Sequence, residues 1–127
     1  MKHINFVNRD FGKVYEHFDA KEFACKDGSY EILICTELAI TLEKIREHFN
    51  APVIINSGYR TPEWNAKVGG AKNSYHMKGM AADIVVKGHS SKEVAEYANG
   101  ILDNGGIIRY TNFVHIDVRE TKYRKGV

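Results

Sequence analysis

Cysteine is scarce in this chain, with Cys25 and Cys35 the only two among 127 residues. Two are too few for a disulfide scaffold. Their spacing also matches neither a Cys-x-x-Cys redox pair nor a zinc knuckle, so two free, partly buried thiols are expected. Long apolar runs are missing too. No stretch approaches the roughly 20 residues of a membrane span, and the opening Met1-Lys2-His3-Ile4-Asn5-Phe6 lacks the unbroken apolar core of a secretory signal. The expectation is a soluble chain made in the cytoplasm, with no membrane partner. Nor does one sign of charge dominate: 18 basic against 16 acidic residues leave +2. A hold on nucleic acid or anionic lipid by bulk electrostatics needs a basic stripe, so nucleic acid is not an expected partner.

Repeats, low-complexity tracts and linker-like stretches are also absent, which predicts one domain over 1–127. At 43% hydrophobic residues the chain can bury a core without staples. Thr36 is placed to cap a helix from Glu37 to Phe49, with Leu38, Leu42, Ile45 and Phe49 on one stripe. Val53-Ile54-Ile55 reads as a buried strand leading into the turn-rich Asn56-Ser57-Gly58-Tyr59-Arg60. Pro62 opens a second helix that should end near Gly69-Gly70. After a loop over 71–80, a strand is expected from Ala81 to Lys87. Ser90 or Ser91 then caps a helix to about Leu102, with Val94, Tyr97, Ala98 and Ile101 inward. Ile107 to Tyr110 and Phe113 to Arg119 are expected to pair as an antiparallel hairpin. The tail from Arg119 to Val127 reads as a solvated basic end. Together these elements predict an α+β fold, an antiparallel sheet with flanking helices.

Common catalytic signatures are missing: no Gly-x-Ser-x-Gly, no His-Glu-x-x-His and no Gly-x-Gly-x-x-Gly. Gly69-Gly70-Ala71-Lys72-Asn73-Ser74 lacks the Gly before and the Ser or Thr after the lysine that a phosphate loop requires. What stands out is polar groups planted in apolar strands. In Phe113-Val114-His115-Ile116-Asp117-Val118 the two-residue period puts His115 and Asp117 on one face. Asp83 interrupts Ala81-Ala82-Asp83-Ile84-Val85-Val86 in the same way. A buried carboxylate is costly unless it is paired or bound to a cation. His76 lies in a loop that Gly79 lets fold back toward that strand. Two imidazoles and one carboxylate are the ligand set of an open, catalytic zinc. A His and an Asp on adjacent strands that simply hydrogen-bond each other fit the same spacing.

The string Ser57-Gly58-Tyr59-Arg60, Asn65, Gly69-Gly70-Ala71, Ser74-x-His76-x-x-Gly79-x-Ala81-x-Asp83 and Phe113-Val114-His115-Ile116-Asp117 resembles the zinc D-alanyl-D-alanine carboxypeptidase and L-alanyl-D-glutamate peptidase family. The resemblance runs from about Phe23 to Arg119. It implies the hedgehog-type α+β fold of the peptidoglycan metallopeptidases, with Zn2+ as cofactor and His76, Asp83 and His115 as ligands. It also implies that Arg60 orients substrate by gripping a peptide carboxylate, and that Ser74 supports a ligand or the substrate or shapes the turn. The substrate implied is a peptidoglycan stem peptide, cut by a monomeric enzyme acting on the cell wall, either as a phage-type lysin or as part of a longer protein.

Several positions depart from the family pattern. Where branches of the family carry an acidic residue three before the last histidine ligand, this chain has Asn112, which cannot accept a proton. Asp117 lies about 6.5 to 7 Å along the strand from His115, within reach either to act as general base or to orient that histidine. Ile108 stands where close relatives tend to carry Gly, and Tyr123-Arg124 where they end in Arg-Trp. The remaining histidines, His3, His17, His48 and His89, are expected to be solvated. Beside a hydrolase, two rivals follow: a zinc-containing cell-wall peptide-binding module without turnover, and a metal-free domain in which the same side chains form a polar network.

Overall fold

Alternating small and β-branched residues make Ala81–Val86 a strand that buries Ala82, Ile84 and Val86 on one face and turns Asp83 to the other. The computed structural model describes residues 3–6 (backbone only), 12–29 and 31–127. In it this strand, β6, is the second strand of a five-stranded sheet. The other strands are β5 (Val53–Ser57), β7 (Gly105–Arg109), β8 (Val114–Asp117) and β9 (Lys122–Lys125), in the order β5-β6-β8-β7-β9. All pairings are antiparallel except β7 with β9, which is parallel. The described residues of the stretch 1–35 add two small antiparallel pairs. These are β1 (His3–Phe6) with β4 (Ile32–Cys35) and β2 (Lys13–Tyr15) with β3 (Phe18–Asp19), with a 3-10 turn at Ala20–Phe23.

Helices α1 (Thr36–Phe49) and α3 (Ser91–Ile101) cover the apolar face of the sheet. Leu38, Leu42, Ile45, Val94 and Ala98 pack there with Ile107, Val114 and Ile116 as a continuous core. Ser90 caps α3 and is answered by Glu93, a reciprocal capping box. Thr61 caps the short α2 (Pro62–Lys67). The α+β expectation is met, with a mixed rather than wholly antiparallel sheet. Among the described residues no helix is long and apolar enough to cross a membrane.

Some local readings change. Thr36 falls inside α1, and Cys35 occupies the cap position without a side-chain cap bond. The loop over 71–80 contains a 3-10 turn at Tyr75–Lys78. The basic tail is a strand: Arg124 donates to the carbonyls of Leu102 and Gly105 and to Asn99 Oδ1, tying β9 to the end of α3. His17 and His48 are exposed, as expected, although His17 is also bound through its backbone and ring to Glu43, which α1 buries, and His48 stacks on Tyr97. The side chain of His3, and Met1 and Lys2 of the opening segment, lie outside the described residues. Cys25 and Cys35 are free and buried, and burial pushes the Cys35 thiol up to about 11.

Gly79 closes the 3-10 turn with φ +69°, and a Cβ there would meet the Leu33 carbonyl oxygen at 2.5 Å. Gly88 has a similar φ of +81° but open space around it. Gly88→Ala should therefore cost only the backbone penalty of about 1–2 kcal/mol. Gly79→Ala should lose about 1–3 kcal/mol more, because a backbone atom must move. Urea denaturation of the two variants side by side checks the difference.

Candidate metal centre

Strand register builds this centre. Asp83 on β6 lies directly opposite His115 on β8, and His115 in turn faces Ile108 on β7, so the carboxylate and imidazole project side by side from the uncovered face of the sheet. His76 arrives from the 3-10 turn, which Ser74 caps by accepting the His76 backbone N–H (3.2 Å). One ligand atom from each of His76, Asp83 and His115 lies within 4.8 Å of the others. Asp83 Oδ1 is 3.3 Å from His76 Nε2 and 3.0 Å from His115 Nδ1. Zinc bonds of 2.0–2.1 Å in a tetrahedron set neighbouring ligand atoms about 3.3 Å apart, so the spacing suits such an ion.

The far nitrogens explain why these atoms face one another. His76 Nδ1–H donates to the Gly58 carbonyl at 2.7 Å, and His115 Nε2–H donates to Asp117 Oδ2 at 2.8 Å. In the neutral tautomers these bonds select, His76 Nε2 and His115 Nδ1 both turn lone pairs toward the Asp83 carboxylate. Three lone pairs brought this close repel unless a cation or proton lies between them. Where a proton rather than a cation lies there, the hydrogen bonds and charge of His115 and His76 outweigh the burial that would raise the Asp83 pKa and hold the carboxyl well below the usual range. Burial likewise works against charge on His115, yet Asp117 and Asp83 shift it upward on balance.

A cavity of about 610 Å3 opens over the triad. Arg60 stands at its wall, donating from Nε to Ser57 Oγ (3.0 Å) and from Nη1 to Asn65 Oδ1 (3.2 Å), with Nη2 3.6 Å from Asp83 Oδ2. Ser74 also lines it. Ile108 and the stacked rings of Tyr110 and Phe113, 4.4 Å between centroids, supply apolar wall.

Asp117 is placed elsewhere. It is fully buried and is not part of the cavity wall. Its Oδ1 accepts from Gly106 N, Arg119 N and Arg119 Nε, and its Oδ2 from Arg119 Nη2 and His115 Nε2. These donors overcome its burial and hold its pKa far below the ordinary carboxylate value. Asn112 lies beside His89, Ser91 and Val94, not at the cavity. Among the described residues, Asp83 is the one carboxylate on the cavity wall. Tyr75, Arg119 and Tyr123, none of which the sequence assigned a site role, also line it. Tyr75 adjoins a ligand candidate and Arg119 closes the strand expected over 113–119, whereas Tyr123 lies beyond it.

A family model described as Peptidase M15 matches residues 14–117. The chain is 39% identical over 85 residues to the probable peptidoglycan L,D-endopeptidase MepK of Haemophilus influenzae, covering 61% of this chain and 45% of that one. With the peptidoglycan L,D-endopeptidase MepK of Escherichia coli K12 it shares 35% identity over 78 residues, 57% of this chain and 43% of the relative. A 33-residue stretch, 26% of this chain, is 52% identical to 13% of the zinc D-Ala-D-Ala carboxypeptidase of Streptomyces albus G. The chain thus spans less than half the length of the MepK relatives it matches.

Asn65 is buried and joins Arg60 to the following loop, donating from Nδ2 to the Ala71 carbonyl at 2.8 Å. Asn65→Ala should destabilise the fold by about 1–3 kcal/mol, the cost of unpaired buried groups, as measured by chemical denaturation.

Proposed function

Because the chain belongs to the peptidase M15 family, we propose that it is a zinc metallopeptidase hydrolysing an amide bond in peptidoglycan stem peptides. The reading covers both a D-Ala-D-Ala carboxypeptidase and an L,D-type endopeptidase, the activities named in its relatives. One observation carries it: two imidazoles, each oriented by a hydrogen bond at its far nitrogen, aim their lone pairs at one carboxylate beside an open cavity. His76 Nε2, Asp83 and His115 Nδ1 are the proposed ligands. A set of three leaves a position for water or substrate, as in catalytic rather than structural zinc sites. When bound, the ion supplies Lewis acidity toward a carbonyl and lowers the pKa of water toward about 7.

The chain's own residues do the rest. Arg60, preset by Ser57 and Asn65, orients a peptide carboxylate by charge-assisted hydrogen bonds. The Ser74 hydroxyl accepts the His76 backbone N–H and still has its own proton to donate toward the cavity. Ile108, Tyr110 and Phe113 exclude water along one wall. Asp117 serves as a positioning residue for His115; its oxygens are taken up by Gly106, Arg119 and His115, away from the cavity, so proton transfer is not assigned to it.

A second reading has an observation in its favour. Since no carboxylate besides Asp83 lines the cavity among the described residues, a zinc-containing module that binds cell-wall peptides without turnover fits the same walls.

Purified muropeptides incubated with the chain, followed by mass spectrometry with and without chelator, decide between them. New peptide products that disappear on chelation and return with zinc are expected; binding without products establishes the second reading. Under the hydrolase reading, Arg60→Ala should lower kcat/KM by about 10- to 100-fold, the worth of a charged hydrogen bond to substrate.

A further inference from the structure

Three rows of register meet beside the triad. Asp117 on β8 faces Ala81 on β6 and Gly106 on β7, and Gly106 faces Tyr123 on β9. With a period of two, these residues share the face that carries Asp83 and His115. Gly106 has no side chain where one would strike the Asp117 carboxylate: an added Cβ would lie 2.7 Å from its Cγ. The carboxylate therefore lies flat in the slot and accepts the Gly106 N–H at 3.0 Å.

Arg119 fills the end of that slot. Its Nε and Nη2 form a two-pronged grip on Asp117, at 2.8 and 2.6 Å. The guanidinium itself lies over two aromatic rings, 4.4 Å from the centroid of Tyr75 and 4.7 Å from that of Tyr123. A planar cation in contact with two ring faces has less freedom to turn, and its fork matches carboxylate geometry as a lysine cannot. Tyr75 comes from the same 3-10 turn as His76, and Tyr123 from the edge strand β9. The grip thus ties two distant parts of the chain to the one carboxylate that orients His115.

We propose that Arg119 is a positioning residue for the metal centre: clamped by Tyr75 and Tyr123, it fixes the Asp117 carboxylate so that His115 presents Nδ1 to a bound divalent cation. This rests on the proposed role of His76, Asp83 and His115 as ligands. Neither the family string nor the relatives' names assign Arg119, Tyr75 or Tyr123 a part.

The test is zinc affinity, measured by competition with a chromophoric chelator, together with the visible spectrum of the Co2+-loaded protein. Wild type is compared with Arg119→Met, Arg119→Lys and Tyr123→Leu. Expected is a fall in zinc affinity of about 10- to 100-fold for Arg119→Met, the range for losing an outer partner of a ligand. A smaller loss is expected for Arg119→Lys, which keeps the charge without the fork. Tyr123→Leu, which removes one ring at an exposed site, should lose about 2- to 5-fold. The Co2+ band should change in intensity for Arg119→Met. Thermal unfolding of the metal-free proteins separates a structural role: a lower midpoint with unchanged zinc affinity and spectrum overturns the inference. If wild type itself binds no zinc, the metal reading fails and this one with it. If wild type binds and every variant binds equally, only the role of Arg119 fails.

Discussion

A carboxylate and an imidazole set opposite each other in the middle of an apolar sheet form the constraint on which this molecule turns. Asp83 and His115 are brought together by the β6–β8 register, which the hydrophobic alternation of both strands enforces, since a slip of one residue would drive each of them into the core. Ionisable groups held there need partners. The surrounding structure supplies them in order: His76 and Arg60 on one side, and Asp117, with its own ring of donors, on the other. The loop over 71–80 brings His76 to that central pair, and the glycine slot on β7 makes room for Asp117.

The division of labour between the two faces is equally physical. Behind the sheet, α1 and α3 bury aliphatic side chains and set strand positions by packing. In front, polar groups are positioned by hydrogen bonds whose geometry is directional. Packing alone would leave His115 free to flip its ring. The bond from Nε2–H to Asp117 selects the tautomer, and the bond from His76 Nδ1–H to the Gly58 carbonyl does the same for the second imidazole.

Much of this was legible in the chain. The two-residue period of 113–118 placed His115 and Asp117 on one face, and the helical stripe of Leu38, Leu42 and Ile45 found α1. What escaped has a common cause, which is dependence on partners far away in sequence. Distance along a strand said that Asp117 could reach the cavity; it could not say that Gly106 and Arg119 would draw the carboxylate sideways. Nothing in the polar surroundings of His17 announces that a buried Glu43 from α1 meets it. Lys122-Tyr123-Arg124-Lys125 has no apolar alternation and becomes a strand only because β7 offers a pairing edge and Arg124 finds the carbonyls at the end of α3. Arg119, one residue past the last apolar position, is informative only once Asp117 is known to be buried.

The composition of that last strand bears on solubility as well. Among the described residues β9 pairs on one side only, with β7, and so stands at the border of the sheet, where open backbone groups invite a neighbouring molecule to add itself as another ribbon. Three of its four residues are cationic. A second copy docking edge to edge would bring like charges into line, so the strand that steadies Arg119 also discourages the protein from polymerising.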